Sequence, residues 1–119
     1  MQNLNGSNNL KQEQIIVVDH DLDVRSTFAD VLSEAGFRVE QADDGTGAIE
    51  MALENKYEVA VVDLSMPGLS GLDTIRRFKE FTPDTEIIVL TGFPSMNSSL
   101  EAMHENVFDY LCKPVDVQK

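Results

Sequence analysis

With 119 residues, the chain has the length of one domain, enough to bury a core without disulfides or structural metal. Its 9 Lys and Arg against 21 Asp and Glu leave a formal net charge of −12, which argues against direct binding of nucleic acid or an anionic membrane through clustered basic residues. The single cysteine, Cys112, excludes an intrachain disulfide and a multi-cysteine zinc site; no run reaches membrane-spanning length, no signal-peptide pattern opens the chain, and the expected location is the cytoplasm.

Residues 1–14, with Asn3, Asn5, Gly6, Ser7, Asn8 and Asn9, have little to bury and read as a flexible leader to a domain spanning 15–119. Ile15-Ile16-Val17-Val18 is β-branched throughout, the composition of a strand covered on both faces. It ends on Asp19-His20-Asp21. Val24, Phe28, Val31, Leu32 and Ala35 then recur at helical spacing, with Asp21 or Asp23 as the cap and Gly36 as the stop.

Phe37 to Gln41 alternates as a strand nearer a sheet edge does, Asp43-Asp44-Gly45 turns, and Ala48, Ile49, Ala52 and Leu53 form the stripe of a second helix. Val59-Ala60-Val61-Val62 is a second buried strand, closed by Asp63 and a turn rich in Ser, Pro and Gly. Leu72, Ile75, Phe78 and Phe81 mark a third helix, and Glu86 to Thr91 a fourth strand. Met96, Leu100 and Met103 suggest a weaker fourth helix, and Phe108 to Cys112 a fifth strand ending at Lys113-Pro114. Strict strand–helix alternation predicts parallel strands joined by right-handed crossovers, a doubly wound α/β sheet. No helix is expected after the fifth strand, because only six residues follow Lys113.

This topology brings Asp19-His20-Asp21, Asp63, Thr91 and Lys113 to the carboxyl edge of the sheet, where open α/β sheets bind ligands. Each residue alone has an ordinary structural explanation: a strand-end turn, a strand-forming threonine, a solvated lysine. Together they make coherent chemistry. Crowded carboxylates call for a cation, and an oxygen cluster suits a hard ion such as Mg²⁺. Lys113 adds a positive charge and Thr91 a hydroxyl. A carboxylate so surrounded can act as a nucleophile towards phosphorus, giving an aspartyl phosphate.

Val17-Val18-Asp19-His20-Asp21, Val61-Val62-Asp63-Leu64-Ser65-Met66-Pro67-Gly68-Leu69-Ser70-Gly71-Leu72, Ile87-Ile88-Val89-Leu90-Thr91-Gly92 and Phe108-Asp109-Tyr110-Leu111-Cys112-Lys113-Pro114 together resemble the receiver domain of bacterial two-component response regulators. The last of these is especially similar to receivers of enhancer-binding transcription activators. The resemblance implies a flavodoxin-like five-stranded sheet in the order 2-1-3-4-5, short of the family's final helix. It implies that Asp63 is the phosphoacceptor for a histidine kinase, acting with Mg²⁺ or Mn²⁺. By the same match Asp19 is a metal ligand beside Asp63, Ser65 offers a backbone carbonyl to the metal, Thr91 is the switch hydroxyl, Lys113 binds the phosphoryl group and Tyr110 is the switch aromatic. Partners would be the kinase and an output domain or a receiver dimer mate. The chain would be a signalling module rather than an enzyme.

His20 departs from the pattern, since the family usually has a second acid there. Imidazole suits zinc, copper or nickel better than Mg²⁺. One reading makes His20 a direct ligand; the expectation taken forward is a partly exposed loop residue that leaves the metal to Asp19 and water, with weaker Mg²⁺ binding. Asp21 could substitute only if the backbone has turned by then. Two other functions compete. A pseudo-receiver would be an interaction module independent of phosphate. A metal-dependent phosphatase with an aspartyl nucleophile would need a second acid two residues after Asp63, where Ser65 stands, and a substrate cap for which the chain has no insertion.

Overall fold

The computed structural model describes residues 12–64, 70–91 and 107–112, with the backbone alone for Thr91, Tyr110 and Cys112. The elements alternate along the chain as β1 (Gln14–Val18), α1 (Leu22–Glu34), β2 (Arg38–Ala42), α2 (Gly45–Glu54), β3 (Val59–Asp63), α3 (Gly71–Phe81), β4 (Glu86–Thr91) and β5 (Asp109–Cys112). The strands form one five-stranded sheet in the order β2-β1-β3-β4-β5, with every pairing parallel. The sheet order implied by the resemblance is the one observed. The fourth helix suggested by Met96, Leu100 and Met103, and the chain after Cys112, lie outside the described residues.

The period of two along each strand divides the core into two layers. Ile16, Val18, Ala60, Val62, Ile87 and Val89 face one side and pack with Ala48, Ile49 and Ala52 of α2 and Ile75 and Phe78 of α3. Ile15, Val17, Val61 and Leu90 face the other and pack with Phe28 of α1, joined by Val24 and Leu32. Burying each of the larger aliphatic side chains contributes about 1.5–3 kcal/mol. This explains why the two central runs are apolar without alternation: both faces are covered.

Helix boundaries follow local chemistry. Asp21 caps α1 by accepting from the amides of Asp23 and Val24, Asp44 caps α2 through the Gly47 amide, and Ser70 caps α3 through the Asp73 amide. Gly36 ends the turn after α1 at φ 105°, a left-handed conformation that favours glycine. The second strand begins at Arg38, one residue later than the alternation suggests, and the fifth begins at Asp109, leaving Phe108 69% exposed. Two residues of the expected apolar stripes also face outward: Leu53 is 62% and Phe81 48% exposed. Both line an open groove of about 450 Å³ where the C-terminal ends of α2 and α3 converge, at the end of the sheet opposite Asp63.

Candidate phosphoryl and metal site

The register places the acidic residues. Val18 of β1 is paired with Val62 of β3, so the next residue on each strand, Asp19 and Asp63, arrives level at the carboxyl edge. Adjacent strands lie about 4.8 Å apart, which brings the two carboxyl groups together. Both side chains are fully buried. Asp63 is paired with Leu90 of β4, and the Leu64 amide donates to the Leu90 carbonyl at 2.9 Å. Thr91 is therefore the next residue beyond the Asp63 partner, and its own partner on β5 is Cys112.

The turn from β1 to α1 is fixed by several contacts. The Asp19 amide donates to the Ala42 carbonyl at 3.1 Å, and the Asp21 amide donates to Asp19 Oδ1 at 2.9 Å. Arg25 Nη1 donates to the Asp19 carbonyl at 2.9 Å, while its Nε reaches Gln41 Oε1 at 3.1 Å. Arg25 thus ties the first turns of α1 to both neighbouring strands. It is a positioning residue that sequence reasoning missed, because its partner Gln41 lies on β2 and no local pattern pairs them.

His20 projects from this turn. Its side chain is 48% exposed, as a loop residue's would be, yet Nδ1 lies 3.4 Å from Asp63 Oδ2 and 3.9 Å from Asp19 Oδ1. One donor atom each from Asp19, His20 and Asp63 falls within 4.8 Å of the others, the geometry of a potential cation site. Two unit charges about 4.8 Å apart repel by about 3 kcal/mol at an effective dielectric constant of about 20, a term that a divalent cation reverses. The backbone has indeed turned by Asp21, but the Asp21 carboxylate caps α1. Among the described residues the donor set at the site is one imidazole and two carboxylates.

The start of α3 lies directly against the end of β3. A Cβ on Gly71 would lie 2.3 Å from the Asp63 carbonyl oxygen and 2.4 Å from the Leu64 Cα. Behind it Thr74 is fully buried, its hydroxyl donating to the Ser70 carbonyl at 2.8 Å. The structure therefore brings together Asp19, His20 and Asp63 and places the Thr91 and Tyr110 backbones on the two adjoining strands. Ser65 and Lys113 fall outside the described residues.

Residues 15–119 match the family model described as response regulator receiver domain. The chain is 30% identical over 109 residues to the transcriptional regulatory protein ZraR of Klebsiella oxytoca, covering 92% of this chain and 25% of ZraR. It is 34% identical over 106 residues to the response regulator MprA of Mycobacterium sp. strain KMS, covering 89% of this chain and 46% of MprA. The chain thus spans between a quarter and a half of these curated relatives. Among solved structures, a response regulator from Burkholderia pseudomallei, crystallised with a phosphorylated aspartic acid, a calcium ion and citrate, superposes with a TM-score of 0.84 at 32% identity, covering 90% of this chain and 63% of that one. A CheY-like receiver domain protein from Methanospirillum hungatei superposes at 0.88 with 21% identity, over 91% of this chain and 86% of that one, a likeness of fold. Among the described residues no helix is long and apolar enough to cross a membrane.

Proposed function

The chain belongs to the response regulator receiver domain family of two-component signalling, and from that premise we propose that it takes a phosphoryl group on Asp63 from a histidine kinase and passes the change to an output domain or a dimer mate. The observation that carries this reading is the fully buried Asp63 carboxylate at the carboxyl end of β3, level with Asp19 and facing the His20 imidazole. The likeness to a response regulator bearing a phosphorylated aspartic acid and calcium supports it.

In the proposed reaction an Asp63 carboxylate oxygen attacks the phosphorus of a phosphohistidine. The new O–P bond forms as the P–N bond breaks, and the electron pair of that bond returns to the donor imidazole. Asp19 and Asp63, with the Ser65 backbone carbonyl, would hold Mg²⁺ or Mn²⁺, which when bound neutralises charge developing on the phosphoryl oxygens. Asp19 fixes the negative charge opposite Asp63. Arg25 holds the Asp19 backbone in place. Lys113 pairs with a phosphoryl oxygen and the Thr91 hydroxyl donates to another. Movement of Thr91 biases Tyr110, two residues before the end of β5, and so the output or dimer surface around that strand. The aspartyl phosphate is later hydrolysed at the same site. The chain is thus a signalling module with phosphoacceptor and autodephosphorylation chemistry, working in the cytoplasm.

Intact mass after treatment with acetyl phosphate tests this reading, in Mg²⁺, in Mn²⁺ and in chelator, beside Asp63→Asn. The expected result is one metal-dependent phosphoryl adduct, lost in Asp63→Asn. A folded chain that gains no adduct with either metal would instead be an interaction module independent of phosphate.

A further inference from the structure

We propose that His20 converts the Asp19–Asp63 site into a mixed imidazole–dicarboxylate site that favours borderline first-row cations, Mn²⁺ through Zn²⁺, over Mg²⁺. The proposal rests on the reading of this edge as a divalent-cation site and adds what this chain's own histidine does to it.

Three observations support it. First, the imidazole is aimed inward despite its half exposure, with Nδ1 at 3.4 Å from Asp63 Oδ2 and 3.9 Å from Asp19 Oδ1. A tetrahedral ion with bonds of about 2.1 Å holds its donors about 3.4 Å apart, so the His20–Asp63 separation already matches one edge of such a ligand set. Second, the neighbouring acid does not share this role: Asp21 Oδ1 caps α1, accepting from the Asp23 amide at 2.9 Å and the Val24 amide at 3.3 Å, and the donors that converge here are those of Asp19, His20 and Asp63. Third, the turn that presents His20 is held from both sides, by the Asp19 amide on Ala42 and the Asp21 amide on Asp19 Oδ1. The imidazole is therefore presented from an ordered backbone, which lowers the entropic cost of using it as a ligand.

The chemistry follows from the donor atoms. Mg²⁺ demands near-octahedral oxygen ligands and gives up water reluctantly, so exchanging a carboxylate oxygen for a neutral nitrogen removes charge and hardness together. First-row ions of the Mn²⁺ to Zn²⁺ series accept imidazole readily, with affinities rising towards the later members. The buried carboxylates still supply two negative charges to either class of ion. His20 therefore shifts the ratio of affinities, lowering that for Mg²⁺ and retaining that for Zn²⁺.

Titration calorimetry with MgCl₂, MnCl₂ and ZnCl₂ tests the ratio directly, on the chain carrying His104→Gln to remove its other histidine. The same titrations are run on that chain with His20→Asp, His20→Ala or Asp63→Asn added, each confirmed folded by circular dichroism. The expected result is a Zn²⁺-to-Mg²⁺ affinity ratio at least 10-fold lower in His20→Asp. One equivalent of Zn²⁺ should also shift the His20 imidazole ¹⁵N resonances. A ratio changed by less than 10-fold, or resonances unmoved by Zn²⁺, overturns the proposal. Asp63→Asn separates the two levels of inference. If it weakens every ion while the His20 substitutions leave the ratio alone, the cation site stands and the role of His20 fails. If it leaves all binding intact, the cation site itself fails.

Discussion

Gly71 lies so close to Asp63 that a Cβ at position 71 would come within 2.3 Å of the Asp63 carbonyl oxygen. The clash is with backbone, which cannot swing aside as a flexible side chain would. Gly71→Ala should therefore push the start of α3 away from the end of β3, at a cost of about 1–3 kcal/mol, as overpacking does elsewhere. Urea unfolding checks the stability. The rate of acetyl phosphate labelling should fall as well, because the displaced atoms are those that hold Asp63; an unchanged unfolding midpoint would show that the contact relaxes without cost.

The two buried carboxylates give the site a stability signature that needs no phosphoryl donor. Without divalent ions, Asp63→Asn should be more stable than wild type by about 1–2 kcal/mol, since it removes one of two like charges held close together. Adding a bound ion at 100 times its dissociation constant should stabilise wild type by about 2.7 kcal/mol and Asp63→Asn by far less. Thermal unfolding with and without chelator distinguishes these outcomes.

Asp21 should behave as a helix cap. Asp21→Ala leaves the Asp23 and Val24 amides without their acceptor and should cost about 1 kcal/mol. Its effect on cation affinity should be much smaller than that of Asp19→Asn. Calorimetry on the two variants makes the comparison, and equal losses would place Asp21 at the ion.

Tyr57 is buried beneath the groove end of the sheet, and its hydroxyl donates to Glu40. Burial, then the hydrogen bond to Glu40 and that carboxylate's charge, raise the Tyr57 pKa well above its ordinary value of 10. The folded state therefore keeps this proton where the unfolded chain gives it up. The resulting stability is fully present below about pH 10 and is lost progressively as the pH climbs above it. Tyr57→Phe should flatten that alkaline loss and cost about 1–2 kcal/mol at neutral pH. Phenolate absorbance in a Tyr110→Phe background isolates Tyr57, as the chain has 2 tyrosines.

Much of this molecule is legible in its sequence, for identifiable reasons. The runs Ile15–Val18 and Val59–Val62 announce buried parallel strands because covered sheets need apolar residues on both faces. Asp63 stands out because it ends such a run before a turn. Leu53 and Phe81 mislead because periodicity assigns residues to a helix face without knowing where the neighbouring helix stops; both helices end at the groove, leaving these side chains uncovered.

The chain by itself determined the strand–helix alternation, the caps and the acids at strand ends, all of which depend on residues within a turn or two of one another. Tertiary structure alone decided that Asp19 and Asp63 arrive level, that Arg25 braces the Asp19 turn against β2, that Gly71 must lack a side chain and that His20 faces inward. Those relations are set by parallel register and by backbone packing between segments far apart in the chain. Local composition cannot specify the level arrival of Asp19 and Asp63, because in strands apolar on both faces a one-residue slip leaves the apolar pattern intact while moving one acid past the other.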